Sequence, residues 1–224
     1  MQNLVEVKSL TKHYVEKTGV TTEALRGIDL TLKKGDFATL AGPSGSGKTT
    51  LLNLIGALDA PTSGSIIFNG TEITNIPLKK LYQFRLKEIG FVFQAYNLFH
   101  QLTAQENIEY VLLLQGVSPK VRQAKAISLL SELNIADLRH KHPNQLSGGQ
   151  QQRVAVARAL ATTPSLILAD EPTANLDSVT AGELIELMHR LNREHKITFL
   201  FSTHDQLVMD KADTVYHLHD GKIQ

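Results

Sequence analysis

The 224-residue sequence contains no cysteine and no tryptophan, and only 7 prolines and 15 glycines. Without cysteine there is no disulfide framework, no thiolate nucleophile and no zinc or iron–sulfur centre built on thiolates. Long apolar runs are missing as well. The longest, such as Val111–Leu114 and Ile197–Phe201, fall far below the roughly 18 to 20 residues that span a bilayer. Met1–Leu10 lacks the basic start and apolar centre of a secretory leader. Charge of one sign is absent too: 23 Lys and Arg against 22 Asp and Glu leave a net +1. That balance carries no footprint that would select nucleic acid as a partner. With 42% hydrophobic and 20% charged residues, the chain is an ordinary globular one, long enough for one large domain with a substantial core.

What is present is an alternation of strand-like and helix-like segments. Leu4, Val5 and Val7 predict a strand, and Ala24–Leu32 alternates apolar with polar through Ile28, Leu30 and Leu32. Lys33–Asp36 reads as a turn, and Phe37–Ala41 as a short apolar strand entering a glycine-rich loop. Thr49–Leu58 suits a helix buried on most sides, stopped by Asp59–Gly64. Ser65–Thr74 returns to strand with a hairpin pair at Asn69-Gly70. From about Ala104 to Ala161 helix formers dominate, and Val121–Asn134 places Ala124, Ile127, Leu130 and Leu133 on one face. Ser165–Ala169 and Ile197–Ser202 then read as buried strands flanking an amphipathic helix, Thr180–Glu194. Strands alternating with helices predict an α/β fold centred on a parallel sheet, with a mostly helical insert and no linker dividing the chain.

Gly42-Pro-Ser-Gly-Ser-Gly47-Lys48-Thr49 fits the phosphate-loop pattern, between a predicted strand and a predicted helix. Glycines let backbone N–H groups fold around phosphate oxygens, and the helix start adds its positive dipole end. Lys48 reaches the β and γ phosphates, and the Thr49 hydroxyl can ligate Mg2+. Leu166–Asp170 followed by Glu171 is an apolar strand ending in two acids. The strand period of two sends adjacent side chains to opposite sides. Asp170 is therefore expected on Mg2+, through water, and Glu171 as the general base or water-positioning group that phosphoanhydride hydrolysis needs.

Leu146-Ser-Gly-Gly-Gln150, followed by Gln151–Ala161, is the most discriminating segment. Ser147, Gly148 and Gly149 make a second N–H-rich surface at a helix start. With it the chain resembles, over essentially its whole length, an ATP-binding-cassette (ABC) nucleotide-binding domain. The resemblance implies a P-loop NTPase (RecA-like) core with an antiparallel β-subdomain and an inserted α-helical subdomain. The core would take residues 1–94 and 159–224, and the helical subdomain about 95–158.

It also implies ATP and Mg2+ as cofactors. Tyr14 would stack on adenine, with Gly42, Ser44, Gly45, Ser46, Gly47, Lys48, Thr49 and Thr50 around the phosphates. Ser147, Gly148, Gly149 and Gln150 would cap the γ phosphate held by a second copy, in a head-to-tail homodimer. Gln94 would contact Mg2+ and the attacking water, joining Thr49 and Asp170 as a metal ligand. Asn175-Leu-Asp177 would be a dimer-contact loop, and His204 a switch on the γ phosphate beside Glu171 and Lys48. His204 follows an apolar strand and so would emerge at the same sheet edge as the two acids.

Only one phosphate loop and one signature are present, and the stretch between them is too short for a long coiled coil. The resemblance therefore points to a transporter-type ATPase, and the runs Gly90–Phe99 and Gly42–Asn53 resemble the branch that includes LolD-like and MacB-like cassettes. It implies a peripheral place on the cytoplasmic side of the inner membrane, integral-membrane permease partners, and through them a periplasmic adaptor. Tyr96, Leu98, Phe99 and Leu102 would lie where the family has its groove for a permease helix, with part of this apolar set exposed in the isolated subunit and covered by the permease; the alternative is an ordinary loop anchored in its own core. A cassette that uses ATP-dependent dimerisation as a switch in a cell-division-type complex needs the same residues, and a soluble P-loop kinase is disfavoured by Leu146–Gln150. The pairs His140/His142 and His217/His219 read as solvated side chains rather than metal ligands.

Overall fold

The computed structural model describes residues 2–15 and 19–224; Met1, the first residue of the segment read for a leader, lies outside them. Alternating apolar residues build two long strands, β1 (Asn3–Val15) and β2 (Thr21–Lys33), which pair antiparallel. β3 (Phe37–Ala41), buried throughout, runs into the glycine-rich loop and α1 (Lys48–Ile55). β4 (Ser63–Phe68) and β5 (Thr71–Glu72) form the hairpin expected at Asn69-Gly70. Both turn residues have positive φ, 47° and 79°, as a two-residue turn matched to strand twist requires. The resulting antiparallel sheet has the order β2-β1-β4-β5.

After α2 (Tyr82–Glu88) and β6 (Ile89–Phe93) come three helices, α3 (Ala104–Leu114), α4 (Pro119–Glu132) and α5 (Gly148–Ala161). The chain returns through β7 (Leu166–Asp170), α6 (Ser178–His195), β8 (Thr198–Thr203), α7 (Gln206–Lys211), β9 (Thr214–His219) and β10 (Lys222–Ile223). These strands and β3 form a second sheet of order β10-β9-β3-β8-β7-β6. It is parallel except at β10.

Both faces of this sheet are covered, which is why its strands read as continuous apolar runs. Phe37, Ile167, Ala169, Phe199 and Phe201 point into a core shared with α3, α4, α5 and α6. Their alternates Ala38, Leu40, Leu166, Leu168 and Leu200 point into a second core with α1 and the antiparallel sheet. α4 buries Ala126, Leu129 and Leu130, with Leu133 just beyond it. Ala124, expected on that face, is exposed. The buried stripe follows the i, i+3, i+4, i+7 rule from Ala126 rather than the wider spacing from Ala124. α6 begins two residues earlier than its apolar pattern because the Asp177 carboxylate accepts from the N–H groups of Val179 and Thr180.

Candidate functional site

β3, β6, β7 and β8 are parallel and adjacent, so their C-terminal ends deliver loops to one edge of the sheet, where ligands of open α/β sheets bind. The β3 loop is tightly seated. A Cβ on Gly42 would lie 2.1 Å from the Leu218 carbonyl oxygen. Gly47 has φ 106° and a Cβ there would lie 2.6 Å from the Ala24 carbonyl oxygen. Only glycine fits either position without displacing backbone. Lys48 is buried, and its ammonium donates to the carbonyls of Gly42 (2.7 Å) and Pro43 (2.9 Å). The amine is thereby held across the mouth of the loop. Ser46 is buried with its hydroxyl unmatched by any protein group, and its carbonyl accepts from the Gly221 N–H.

Thr49, one residue into α1, donates its hydroxyl to both carboxylate oxygens of Asp170 at 3.1 Å. The Ser202 hydroxyl also donates to Asp170. Glu171 lies next in sequence, yet its place is not set by the strand period. Its φ is 47°, so the chain has left the extended conformation, and its N–H donates to the Ser202 carbonyl at 2.9 Å. The expected opposition of the two acids is thus replaced by a left-handed turn that swings the Glu171 carboxylate to within 3.0 Å of His204 Nδ1. Glu171, His204 and the exposed Gln94 line the same cleft of about 460 Å3 as Ser44, Gly45, Gly47, Lys48, Thr49 and Thr50. Gln94 follows β6, and its carbonyl accepts from Asn175 Nδ2 at 2.9 Å.

Tyr14 lies outside that cleft lining. Its hydroxyl donates to Asp59 at 3.0 Å, and the Lys12 ammonium sits 4.7 Å from its ring centroid. Burial and the neighbouring Asp59 carboxylate raise the phenol pKa. Ser147 and Gln150 also sit apart, locked in a reciprocal cap at the start of α5: the Gln150 N–H donates to the Ser147 hydroxyl, and the Ser147 N–H to the Gln150 side chain. Gly148 packs under the Tyr96 hydroxyl and Gly149 against Thr180, where Cβ atoms would sit at 2.7 and 2.4 Å. Ser147, Gly149 and Gln150 line a separate depression with Arg153 and Glu183. The Asp177 carboxylate serves the α6 cap, which holds its pKa below the ordinary value, first through the Thr180 N–H.

A third feature is a groove of about 500 Å3 between α2, β6, α3 and α5, lined by Tyr82, Leu86, Phe91, Phe99, Tyr110 and Leu114 among others. Phe99 is 45% exposed and packs on the Tyr110 ring at 4.9 Å. Of that apolar set Phe99 is thus the exposed part, while Leu98 belongs to the core at 8%, because the chain around it doubles back through two left-handed residues, Tyr96 and Asn97 (φ 61° and 50°). Arg158 of α5 secures that bend by donating to both their carbonyls; burial lowers its pKa to about 10, leaving it charged at neutral pH.

The residues missed by sequence reasoning are mostly of this tethering kind: Arg158, Asn107, Gln152 and Asp205, which accepts from Thr173 Oγ1 at 3.1 Å. The solvated reading fits His140, His217 and His219, which are exposed, whereas His142 is half-buried in a capping turn. His195 meets Glu132 at 2.6 Å. No helix among the described residues is long and apolar enough to cross a membrane.

Residues 25–174 match the family model described as "ABC transporter". The chain is 45% identical over 224 residues to lipoprotein-releasing system ATP-binding protein LolD 1 of Rhodopseudomonas palustris, covering 100% of this chain and 99% of that one. It is 46% identical over 200 residues to the ABC transporter ATP-binding protein YtrE of Bacillus subtilis, covering 89% and 87%. It is 42% identical to the macrolide export ATP-binding/permease protein MacB of Hyphomonas neptunium, over 98% of this chain but 34% of that longer protein. Among solved structures, a dimeric ATP-binding cassette in a post-hydrolysis state with ADP and Pi superposes with a TM-score of 0.91 at 40% identity, over 99% of this chain and 97% of that one. A phosphate loop, an acid pair and a signature helix in this arrangement, on this fold, place the chain in the ABC transporter family as an ATP-binding, ATP-hydrolysing cassette.

Proposed function

We propose that this chain is the ATPase subunit of an inner-membrane ABC complex of the LolD/MacB-like kind, binding Mg-ATP at a head-to-tail dimer interface and driving a separate permease from the cytoplasmic side. The observation that carries the reading is the separation of two phosphate-type surfaces. Lys48, Glu171 and His204 line one cleft, while Ser147 and Gly149 line another depression. Two copies facing each other head to tail would supply each cleft with the other's signature surface, so each γ phosphate would meet groups from both chains.

In this cycle Lys48 neutralises charge on the β and γ phosphates, and Glu171 orients a water for in-line attack on the γ phosphorus. His204, held by Glu171, steadies the developing charge together with the second copy's signature N–H groups. Tyr14 offers adenine the ring face opposite Lys12. The oxygen-only set of Thr49 and Asp170, with Gln94 on the same cleft, suits a hard cation that keeps several waters. Mg2+ held there would supply charge neutralisation at the phosphates. Asp177 and Asn175 sit on the loop that links Glu171 to α6, where a second copy would sense the hydrolytic loop.

The apolar groove beside Gln94 suits an amphipathic cytoplasmic segment of a permease. In this reading residues 95–158 form the helical unit that moves with that segment, against a core of residues 1–94 and 159–224. Lipoproteins or other hydrophobic compounds are the cargo class by kinship with the LolD and MacB proteins, and any periplasmic adaptor would be reached through the permease.

Sedimentation of the Glu171→Gln variant with and without Mg-ATP tests this. The expected result is an ATP-dependent shift from monomer to dimer, with turnover slowed by about 10²- to 10⁴-fold. Near-normal turnover would remove Glu171 from its role, and a variant that binds ATP but never dimerises, even with its permease, would remove the shared-site arrangement.

A further inference from the structure

Glu171 is held in an uncommon backbone conformation, φ 47°, which persists only where surrounding contacts over-determine it. One contact is the Glu171 N–H to the Ser202 carbonyl. Two residues on, Thr173 is tied to Asp205. Between them the Pro172 carbonyl is taken by a side chain from a different part of the chain: Gln152 Nε2, in the second turn of α5, donates to it at 2.8 Å. The same amide nitrogen lies 3.5 Å from the Phe93 carbonyl, at the end of β6 and one residue before Gln94.

Gln152 is 0% exposed, and its Oε1 finds no donor from the protein. A buried amide with its acceptor unmatched is an unfavourable choice of core residue, and leucine or methionine would fill that space without the desolvation penalty. The donor half must therefore matter to what the site does. It sits where the signature helix, the strand leading to Gln94 and the turn bearing Glu171 meet.

We infer that Gln152 is a positioning residue for hydrolysis. Its buried carboxamide pins the Glu171-Pro172 turn to the end of β6 and to α5, and so fixes the direction of the Glu171 carboxylate. This rests on the role given to Glu171 above. Gln152 is not among the residues that line the phosphate cleft, so its loss should act on turnover and not on ATP affinity.

The test uses Gln152→Met, which keeps length and apolar volume but removes the donor, and Gln152→Glu, which replaces the donor by an acceptor. Both are compared with Glu171→Gln, with turnover normalised to titrated ATP-binding sites so that misfolded protein does not count. Gln152→Met should lower kcat at least about tenfold, with the Kd for Mg-ATP within about twofold of wild type. Gln152→Glu should lower it further at neutral pH. Its activity relative to wild type should recover as pH falls, because the protonated carboxyl regains a hydrogen to donate to the Pro172 carbonyl. A purely structural role would lower the melting temperature without this pH signature. Gln152→Met with kcat within twofold of wild type, or with kcat and ATP affinity falling together, overturns the inference. Near-normal turnover in Glu171→Gln would instead overturn the reading on which it rests.

Discussion

Asn107 ties Phe99 and the turn after it to the start of α3 through one buried side chain. It is 0% exposed. Its Oδ1 accepts from the Phe99 N–H at 2.8 Å, and its Nδ2 donates to the carbonyls of Phe99 (3.1 Å), Leu102 (3.1 Å) and Thr103 (3.0 Å). Asn107→Ala leaves the Phe99 N–H without its partner, a cost of about 1–3 kcal/mol. The Thr103 carbonyl keeps the Asn107 N–H, so the lost donor adds only about 1 kcal/mol over the remaining carbonyls. A total near 2–4 kcal/mol in a chain of this size corresponds to a fall in melting temperature of about 5–15 °C. Calorimetry reads that shift, and amide hydrogen exchange reads its location, since the Phe99 amide should lose protection before the amides of β7 and β8. A melting temperature within about 2 °C of wild type, with the Phe99 amide still protected, would refute the assignment of the loop to Asn107.

Phe99→Asp puts a charge on an exposed ring that lines the groove and not the phosphate cleft. Capture of the co-expressed permease should fall at least tenfold while the Kd for Mg-ATP stays within twofold; undiminished capture would place the docking surface elsewhere. Glu106 closes the capping box of α3, and its pKa is lowered first by the Thr103 N–H. A carboxyl whose folded pKa lies below its unfolded one contributes stability that is full above the unfolded value near 4.3 and is lost as pH falls through the lowered value. Urea midpoints of wild type and Glu106→Gln should therefore differ at pH 7 and converge as pH falls through the lowered value, and a constant difference across the whole acid range would exclude the linkage.

Legibility followed the range of the forces involved. β3, β7 and β8 could be read from sequence because strands buried on both faces must be continuously apolar, and the phosphate loop because Gly42 and Gly47 answer to local steric limits that a pattern records. The cap residue Ser147 acts within three residues of itself and leaves an equally local trace at the start of α5, whereas the α6 cap at Asp177, just as local, is hidden because the apolar pattern of that helix begins only at Thr180. What could not be read depends on contacts between distant segments. Nothing near Glu171 announces its left-handed turn, since Ser202, Asp205 and Gln152 hold that loop from β8, from the start of α7 and from α5. Which part of the apolar set around Phe99 lies in the core is illegible for the same reason: the burial of Leu98 follows from a bend fixed by Arg158, some sixty positions along the chain.

These tethers share one physical property. Arg158 and Gln152 lie on α5, and both donate to main-chain carbonyls in the segments that flank Gln94 and follow Glu171. A main-chain carbonyl moves only with its peptide, so a displacement of α5 carries both loops with it, whereas side-chain partners could rotate to absorb the change. The helix that starts at the signature surface is thus bonded at one point to the groove and at another to the hydrolytic turn. In the proposed arrangement, closure of a second copy on Ser147 and insertion of a permease segment beside Phe99 would act on this same helix. Lys48 and Thr49 are held by α1 and its own loop, so a shift of α5 would be expected to reach the turn that carries Glu171 before it reaches them.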